Sequence, residues 1–593
     1  MVPDVPAIHR RFDYSVPPAM AAAVHLGARV RIELNGRRVA AWVVEDDVPP
    51  TPGVTVKPLA ASSGEGPPPS VLSLAAWAAW RWAGPLSSFL GTASPERTVR
   101  RPGPSSGEDL PGSPGPASLP AGPPSPGGGS VGLVSEAMDR ALGPVVIRLA
   151  PALDAALVVL ELLHRTGPAG VLVLVPSHVR ASQMAARLEE AGMPVALMPD
   201  GWPGAATGHR VVVGTRAAAW SPLPHLRAAI VLDAHDEAYR EERSPTWSAV
   251  DVTVERGRRD GSPVLLVSPC PPATLIEGFP VVTTSRSVER RGWPVVEVVD
   301  RAGDDPHTGL FSDRLVRAVR QALDPPHGRV VCILNRTGRI RLLACGQCGA
   351  LARCTRCGGA LAQESAAARL ECRRCGEVRP AVCAACDSGR LKALRMGVTR
   401  AAEELTALTG VEAVEVSGVS GPGRLPERRL VVGTEAALHR TDRADLVAFL
   451  DIDQHLLAPR FGAGEEALAL VVRASRLVGP RPSGGRVLVQ TRVPDHEVLV
   501  AAVHADPEIL ARSERELRLA IGLPPFAALT VLRGPGAAVY AGGVAALGTV
   551  EVSSVEADRW MVRAPDHATM ANALASVPRP AARLRIEVDA TDA

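Results

Sequence analysis

Eight of the ten cysteines lie within 42 residues and form four C-x-x-C pairs. Two residues between cysteines allow both sulfur atoms to face one point from a tight turn, and four thiolates around Zn²⁺ make a closed tetrahedral site. Because a catalytic zinc keeps one position open, eight cysteines predict two structural zinc ions. Adjacent, crossed and nested groupings of the pairs are all compatible with this spacing. The pairs are Cys345/Cys348, Cys354/Cys357, Cys372/Cys375 and Cys383/Cys386, and the glycines expected to supply backbone freedom for their turns are Gly346, Gly349, Gly358 and Gly376.

The expected cellular compartment favours metal binding over disulfides. The first residues, MVPDVPAIHRRFDY, contain neither the apolar segment nor the cleavage site of a signal peptide, so we expect a cytoplasmic protein. The apolar stretch 71–84 is interrupted by Arg81 and is too short to span a bilayer. Disulfides are rare in a reducing cytosol, and a thioredoxin-like motif needs a single pair. Cys270 and Cys332 fall within apolar strand patterns and are expected to be buried and unreactive.

The composition indicates a folded protein without a strong overall basic charge. Apolar residues make up 46% of the chain and charged residues 21%, which is ordinary for a globular protein. The formal net charge is +3, so any surface that binds nucleic acid must be local. Almost all basic residues are arginine, and lysine occurs only as Lys57 and Lys392.

Hydrophobic periodicity predicts the elements that position the cysteines. Between 145 and 270, and again between 329 and 491, short apolar runs alternate with amphipathic helical patterns, which predicts parallel sheets covered by helices on both faces. The cysteines lie between the first two strands of the second set. VVVGTR (211–216) and LVVGTE (430–435) occupy comparable places, and each is followed by an acidic strand end, VLDAHD or FLDID. This duplication suggests two RecA-like lobes of the helicase kind.

Two smaller domains are predicted to flank the lobes. Residues 28–46 alternate apolar and polar types around Asn35-Gly36, the strongest short hairpin signal, and a helical pattern rich in Trp follows. Residues 101–130 contain 17 Pro and Gly among 30 positions, which predicts a disordered linker. The last hundred residues predict a small α+β domain. The expected segments are a β-rich domain at 1–100, the linker at 101–130, a first lobe at 131–285, a second lobe at 286–495 with a zinc module at 345–390, and a C-terminal domain at 496–593.

The ordered motifs resemble those of the PriA family of replication-restart helicases. ILNRTGRIRLLACGQCG leads into the cysteine pairs, LRMGVTRAAEELTAL follows them, and FLDID, VLVQT, GLPPF and EVDA continue the match over most of the chain. The resemblance implies a nested arrangement of the two zinc sites. Its outer set is Cys345, Cys348, Cys383 and Cys386, and its inner set is Cys354, Cys357, Cys372 and Cys375.

The resemblance also implies DNA as a partner. FDYSVPP (12–18) resembles the start of the family's 3′-end-binding domain, and Phe12, Asp13, Gly36 and Lys57 match its aromatic, acidic, glycine and lysine positions. An aromatic ring can stack on a terminal base, a carboxylate can accept from the base or the 3′-hydroxyl, and lysine can contact phosphate. FDY is also compatible with a plain strand that buries its Phe. By resemblance we expect branched or single-stranded DNA at forks, primosome proteins, the replicative-helicase loader and single-strand-binding protein as partners, and no membrane.

The chain departs from the family wherever ATP is handled. The family's G-x-T-G-S-G-K-T loop corresponds to RLAPALDA (148–155), which has no glycine, lysine, serine or threonine. In place of D-E-E-H stands DAHD, in which Asp233 and His235 remain without the adjacent glutamates. SPCPP replaces G-S-A-T-P, and of the arginine motif only Arg476 remains. These residues predict a degenerate nucleotide site, and ATP binding is not expected. The Pro/Gly-rich interval also replaces the family's winged-helix region.

We therefore predict a helicase-dead, PriA-like scaffold that binds stalled or recombination-derived forks and nucleates primosome assembly to reload the replicative helicase. One alternative is an active ATP-dependent 3′–5′ DNA helicase with rebuilt motifs, which would need a phosphate-binding glycine loop. Another is a zinc-dependent nucleic-acid or protein interaction scaffold unrelated to forks. That protein would bind substrates with free and blocked 3′ ends equally well.

Overall fold

The computed structural model describes residues 1–590 apart from 6–7, 9, 50–52, 54, 100–131, 141–142, 305–308, 335–342, 364–368, 373–374, 394–397, 417–427 and 557. The predicted linker and parts of the two motifs that flank the cysteines therefore lie outside the described residues. Among the helices that the structure does describe, none combines the length and hydrophobicity that crossing a bilayer requires.

The N-terminal part is a small twisted sheet followed by two helices. Its four-stranded sheet has the order β1-β4-β3-β6, and β2 pairs in parallel with β5. Asn35 (φ 50°) and Gly36 (φ 75°) are both left-handed, as the predicted two-residue hairpin turn requires. The elements are β1 (Val2–Pro3), β2 (Tyr14–Ser15), a 3₁₀ helix (Pro18–Ala23), β3 (Arg29–Leu34), β4 (Arg37–Trp42), β5 (Lys57–Pro58), β6 (Ala61–Gly64), α1 (Pro69–Arg81) and α2 (Leu86–Ala93).

The first lobe is a seven-stranded parallel sheet with the order β13-β7-β12-β11-β8-β10-β9. Its strands are short, rich in Val and almost fully buried, because helices cover both faces. Its elements are α3 (Leu133–Arg140), β7 (Pro144–Arg148), α4 (Ala155–Thr166), β8 (Val171–Leu174), α5 (His178–Glu190), β9 (Val195–Leu197), α6 (Trp202–Ala206), β10 (Val211–Gly214), β11 (Ala228–Leu232), α7 (Ala249–Asp260), β12 (Val264–Ser268), α8 (Ala273–Gly278) and β13 (Val281–Thr283), with 3₁₀ helices at Arg216–Trp220 and Glu237–Tyr239.

The second lobe is a six-stranded parallel sheet with the order β14-β24-β23-β15-β22-β21, and the cysteine module is inserted after β15. The module consists of a two-stranded and a three-stranded antiparallel sheet. The elements of lobe and module are α9 (Arg286–Gly292), β14 (Val295–Asp300), α10 (Asp313–Leu323), β15 (Val330–Ile333), β16 (Leu343–Cys345), β17 (Leu361–Ala362), β18 (Arg369–Cys372), β19 (Val378–Pro380), β20 (Leu391–Ala393), α11 (Val398–Thr409), β21 (Ala413–Val416), β22 (Leu430–Gly433), α12 (Ala436–Arg440), β23 (Leu446–Phe449), α13 (Asp453–Leu456), α14 (Ala463–Val478), a 3₁₀ helix (Arg481–Ser483) and β24 (Arg486–Thr491).

The two lobes have the same topology. If each lobe's strands are numbered along the chain without the module, the second sheet has the order 1-6-5-2-4-3, and the first has this order with a seventh strand beside strand 1. β10 and β22, which carry VVVGTR and LVVGTE, are both the fourth strand, and β11 and β23 are both the fifth. The predicted duplication and α/β fold class are confirmed. β13 and β14 were not among the strands predicted from hydrophobic periodicity.

The C-terminal part is an antiparallel sheet with two helices. The order β26-β27-β25-β28 and the sequence β-α-β-β-α-β give the split βαβ arrangement. α15 and the start of α16 pack in the core of the second lobe through residues such as Val498 and Leu510. The elements are α15 (Glu497–His504), α16 (Glu508–Ile521), β25 (Ala528–Arg533), α17 (Ala537–Ala545), β26 (Glu551–Glu556), β27 (Arg559–Ala564), α18 (His567–Ser576) and β28 (Arg585–Val588).

Helices α1 and α2 join the N-terminal part to the rest of the molecule. Phe89 lies 5.7 Å from Trp220 of the first lobe, measured between ring centroids. Arg81 forms a 2.8 Å ion pair with Asp589, beyond β28, in which the arginine side chain is 8% exposed. One buried apolar cluster contains residues of the N-terminal part, the first lobe and the C-terminal part. The N-terminal sheet is therefore held against the first lobe and the C-terminal part.

Candidate functional site

The eight paired cysteines form two groups of four. Each group could hold a metal ion, since its sulfur atoms all lie within 4.8 Å of one another. Four sulfurs at 2.3 Å from a tetrahedral zinc lie about 3.8 Å apart, whereas a disulfide requires about 2.0 Å. The observed cross-pair distances are 3.6 Å for Cys345–Cys386 and Cys348–Cys383, 3.5 Å for Cys354–Cys375 and 3.4 Å for Cys357–Cys372. The grouping is the nested one.

Each C-x-x-C pair forms the same hydrogen-bonded turn. In the first turn, the amide of Cys345 donates to Ala350 O (2.8 Å) and the amide of Gly349 donates back to Cys345 O (3.0 Å). The residue after the second cysteine is left-handed in every turn, as Gly349 (φ 76°), Gly358 (φ 72°), Gly376 (φ 72°) or Asp387 (φ 57°). Gly346 does not have a positive φ. The fourth turn therefore uses Asp387, one of the non-glycine residues that tolerate this conformation.

Backbone amides already favour thiolates in these groups. The amide of Cys348, then that of Gln347, lowers the pKa of the Cys345 thiol to about 6. Burial and hydrogen bonds to neighbouring cysteines instead raise the pKa of Cys357 to about 12. Four crowded sulfurs cannot all carry a negative charge unless a cation lies between them. The donor set therefore fits a divalent metal ion.

Arg492 fixes the module on the second lobe. Its Nη1 donates to Gly349 O and to Asp304 O, both at 3.2 Å, and its amide donates to the Asp453 carboxylate at 2.9 Å. In the other cysteine group, three residues after Cys357, the Ala360 amide donates to Leu457 O at 3.4 Å. Both cysteine groups therefore have a hydrogen bond to the end of the sheet where β23 and β24 finish, one through the Arg492 side chain and one between backbone groups.

The predicted 3′-end residues lie beside the β2–β5 pair and in the β3–β4 turn. Tyr14, which follows Asp13, is the register partner of Lys57. Lys57 Nζ lies 3.1 Å from Glu33 Oε1, and the Tyr14 hydroxyl donates to Glu33 O at 2.7 Å. Gly36 lies in the turn that follows β3, with open space where a Cβ would be. The structure thus brings Tyr14 and Lys57 to Glu33, whereas Gly36 lies in the β3–β4 turn and Asp13 lies near the N-terminal ammonium of Met1.

Phe12 precedes this group and is half-buried. Its amide donates to Met1 O at 3.0 Å, and the guanidinium of Arg10 lies 4.8 Å from the centre of its ring. The ring therefore keeps an accessible edge and is not the fully buried core residue that a plain strand would require.

The loop predicted to correspond to the family's phosphate loop is bonded to protein groups. The amide of Ala152 donates to Gly292 O (3.1 Å) and that of Leu153 to Ala150 O (3.0 Å). At the start of α4, the Asp154 carboxylate accepts from the Ala156 amide at 3.0 Å. A protein carboxylate therefore takes the position at the helix N-terminus where such folds hold phosphate.

Asp233 and Arg476 meet directly across the interface between the lobes. Arg476 Nη1 donates to Asp233 Oδ2 at 2.7 Å, its Nη2 contacts Oδ1, and its Nε donates to Pro151 O at 3.3 Å. Arg180 contacts Asp233 from the first lobe. Burial alone would raise the pKa of Asp233, but the guanidiniums of Arg476 and Arg180 hold it well below its ordinary value.

Further contacts extend this interface. Arg473 pairs with Asp236 at 2.7 Å, and the amide of Ala273 donates to Glu465 Oε1 at 2.7 Å. Glu466 hydrogen-bonds to Glu237, and burial, followed by that neighbour, raises the pKa of Glu466 to about 8. Each acidic residue of the DAHDE segment therefore touches the second lobe.

His235, the other residue predicted for a degenerate nucleotide site, bonds within the first lobe. Its Nδ1 lies 2.9 Å from Ser268 Oγ, and burial lowers its pKa to about 4. Cys270 and Cys332 are buried, and burial raises the pKa of Cys332 to about 12. The sequence predicted Asp233, His235 and Arg476 as one site but missed Arg180, Arg473 and Glu466, whose only signal was their charge within amphipathic helical patterns.

Comparison with known proteins gives one domain match and several relatives. The PriA family model described as 3′DNA-binding domain (3′BD) matches residues 2–95. A protein of Mycobacterium tuberculosis named probable replication restart protein PriA is 30% identical over 598 residues, which cover 91% of this chain and 86% of that protein. The replication restart protein PriA of Bacillus subtilis is 25% identical over 340 residues, or 54% of this chain and 42% of that protein. A crystal structure of a DEAD box protein from Methanococcus jannaschii aligns with 66% of this chain and 90% of its own at 11% identity, with a TM-score of only 0.31.

The domain match and the paired lobes define the class, a DNA-binding protein with a helicase-like fold. The match to the mycobacterial relative extends over nine-tenths of the chain at 30% identity. The chain therefore belongs to the PriA family of replication restart proteins.

Proposed function

We propose that this chain binds stalled or recombination-derived replication forks in the cytoplasm and nucleates primosome assembly, so that the replicative helicase is reloaded, without ATP-driven unwinding. The observation that carries the proposal is the Arg476–Asp233 ion pair beside Pro151, in the place where helicases of this family handle the phosphates of ATP. The role at forks rests on family membership and on the 3′BD match.

The chemistry of ATP hydrolysis supports the inactive interpretation. Phosphoryl transfer requires free backbone amides and a lysine on the phosphates, and a carboxylate and hydroxyl on Mg²⁺. Here the amides of Ala152 and Leu153 bond to protein carbonyls, and the loop contains no lysine. Asp233 is occupied by two guanidinium groups that would repel Mg²⁺. Loss of single groups of this kind typically costs a factor of about 10³ or more in rate.

We assign the 3′ end of a DNA strand to the surface of the N-terminal domain that carries Phe12, Asp13, Gly36 and Lys57. Phe12 stacks on the terminal base, Asp13 accepts from the base or the 3′-hydroxyl, and Lys57 contacts a phosphate. Gly36 allows close approach because its position has open space where a side chain would project. The short contacts among Tyr14, Glu33 and Lys57 hold this geometry before DNA binds.

The cysteine groups each take one structural Zn²⁺, since four thiolates with no open position are typical of this ion. Zinc would fold the module and hold it as a platform on the second lobe, where Arg492 fixes it. By family membership, the partners at this platform are primosome proteins, the replicative-helicase loader and single-strand-binding protein.

The test is a paired assay on the full chain loaded with zinc. Binding is measured to a fork whose leading-strand 3′ end carries either a hydroxyl or a phosphate, and ATP turnover is measured on the same DNA. We expect at least tenfold weaker binding to the blocked end, because a hydrogen bond to a charged group is worth about 1.5–3 kcal/mol. We expect no DNA-stimulated turnover.

Asp13→Asn and Lys57→Ala should remove the preference for the free end. Asp46→Asn, at an exposed carboxylate elsewhere in the same domain, is the matched control and should keep it. Turnover stimulated by DNA would refute the absence of unwinding, and equal binding to both ends in the unmodified protein would refute 3′-end recognition.

A further inference from the structure

The β3–β4 hairpin carries two exposed arginines on one face. Arg38 is the register partner of Glu33, and Arg31 lies two residues before Glu33 on the same strand. Because side chains alternate along a strand, Arg31, Glu33 and Arg38 share one face of the sheet. The opposite face carries Val30 and Ile32 into the core.

The charge on this face is unbalanced. Glu33 is the acidic residue beside the two arginines on this face, and Lys57 Nζ already lies 3.1 Å from its Oε1. Arg31 and Arg38 have no ion-pair partner anywhere in the described part of the chain, and both are exposed. Many arginines in the described part of the lobes, by contrast, are tied to carboxylates or carbonyl groups, as Arg314 is to Glu297. The hairpin therefore presents two uncompensated guanidiniums beside the predicted 3′-end site.

The spacing of these groups fits a polyanion better than a single anion. Positions 31 and 33 of a strand are about 7 Å apart. Because Arg38 lies opposite position 33, Arg31 and Arg38 lie at separate points along the hairpin. Two cations in a row can each meet one phosphate of a chain, and the tight Asn35–Gly36 turn fixes the strands that carry them.

We propose that Arg31 and Arg38 hold the sugar–phosphate backbone of the DNA strand whose 3′ end the domain binds, behind the terminal nucleotide at Lys57. The contacts are to phosphate, so they contribute affinity and orientation without reading sequence. The proposal rests on the proposed 3′-end function for the direction of the strand. The phosphate contacts of Arg31 and Arg38 do not depend on which chemical group ends the DNA strand.

The chain offers a matched control within the same hairpin. Arg37 is the register partner of Leu34 and therefore lies on the opposite face, although it is equally exposed and one residue from Arg38. Arg37→Ala removes the same charge from the same hairpin. A double replacement by lysine, Arg31→Lys with Arg38→Lys, keeps the charges and tests whether the fold tolerates substitution.

The experiment measures fork binding by the full, zinc-loaded chain between 50 and 300 mM NaCl. For Arg31→Ala with Arg38→Ala, the slope of log K against log salt should become shallower by about 1.4, at about 0.7 per single-strand phosphate contact. Binding at 50 mM should weaken about tenfold, while the ratio between free and blocked 3′ ends stays unchanged. Arg37→Ala and the double lysine variant should keep the parent slope.

An unchanged slope in the double alanine variant, or an equal change in Arg37→Ala, would overturn the proposal. The outcome is separate from that of the proposed function. If the parent binds free and blocked ends equally but only the double alanine variant has the shallower slope, 3′-end recognition fails and the phosphate contacts stand.

Discussion

Asp233 of the first lobe and Arg476 of the second form a bidentate ion pair, with Nη1 2.7 Å from Oδ2. In the family's working motifs, the corresponding carboxylate and arginine would act on Mg²⁺ and phosphate. Here each neutralises the other, and the arginine also bonds to the loop at Pro151. Asp233 and Arg476, two of the three residues predicted for the nucleotide site, therefore join the lobes directly.

The first prediction concerns this ion pair and stability. Arg476→Ala should lower the free energy of unfolding by about 2–3 kcal/mol, because it leaves the buried Asp233 with only Arg180 as a charged partner. Arg476→Lys should not restore the loss, since an ammonium cannot form the bidentate contact. Urea unfolding at pH 7 measures both changes.

A surface pair provides the control for that measurement. Arg443 pairs with Asp445 at 3.5 Å, and the two side chains are 66% and 41% exposed. Arg443→Ala should cost less than about 0.5 kcal/mol. Equal losses in the two variants would show that the Asp233–Arg476 contact does not hold the lobes together.

The second prediction concerns pH. Burial and the neighbouring Glu237 raise the pKa of Glu466 to about 8, whereas in the unfolded chain its pKa is about 4.3. The folded protein thus binds a proton at neutral pH that the unfolded chain has lost. This contribution to stability is complete below about pH 4 and is lost as the pH rises through about 8. The pH dependence from this group cannot exceed about 1.4 kcal/mol per pH unit.

Glu466→Gln keeps the hydrogen-bonding shape and removes the titration. Urea unfolding between pH 5 and 9 should therefore give a flatter profile for this variant than for the parent. Glu516→Gln, at an exposed position of α16, should leave the parent profile unchanged. If Glu466→Gln also leaves it unchanged, the carboxyl pair does not share a proton.

Much of the fold could be predicted because local patterns decide it. Val-rich runs predicted most strands of both lobes, and Asn35-Gly36 predicted the hairpin. β13 and β14 were missed because β13 has only three residues and the apolar run of β14 is interrupted by Glu297, and each is an edge strand of its sheet. The packing of α1 and α2 on the first lobe depends on contacts between distant segments, such as Phe89 with Trp220, which no local period encodes.

The candidate sites were predictable to different degrees for a similar reason. The cysteine spacing carries its own chemistry, so the eight ligand positions could be predicted from it, whereas their nested grouping followed only from the family resemblance. Arg180 and Arg473 have no motif of their own. The contact of Arg180 with Asp233 joins distant segments of the first lobe, and that of Arg473 with Asp236 follows from how the two lobes meet. Asp387 was missed because an aspartate seldom signals a left-handed turn as clearly as glycine does.

The third prediction concerns metal content. The purified chain should contain two Zn²⁺ ions, and removal of metal by a chelator should unfold the module while the lobes stay folded, because structural zinc supplies folding free energy. Cys348→Ser and Cys386→Ser should each lose one ion, and the double variant should still lose only one. Cys354→Ser should lose the other ion, so that the double variant Cys348→Ser with Cys354→Ser retains neither.

Cys332→Ser is the control for metal content, since that cysteine is buried in β15 and belongs to neither group of four. It should keep both ions. Metal analysis and thiol titration read out the result. Loss of both ions from Cys348→Ser alone would contradict two separate sites.

The fourth prediction concerns the left-handed residue that ends each cysteine turn. Gly376 (φ 72°) has open space where a Cβ would be, so substitution there changes backbone energy without a clash. A left-handed conformation costs most residues about 1–2 kcal/mol, and Asp or Asn less. Gly376→Ala should therefore weaken zinc retention about tenfold, and Gly376→Asp should weaken it less, as the natural Asp387 suggests.

Competition with a chelator measures zinc retention in both variants. The control is Gly389→Ala, at a glycine without positive φ and with open space around it. A greater loss in Gly376→Asp than in Gly376→Ala would contradict this account, because backbone strain alone ranks the two in the opposite order.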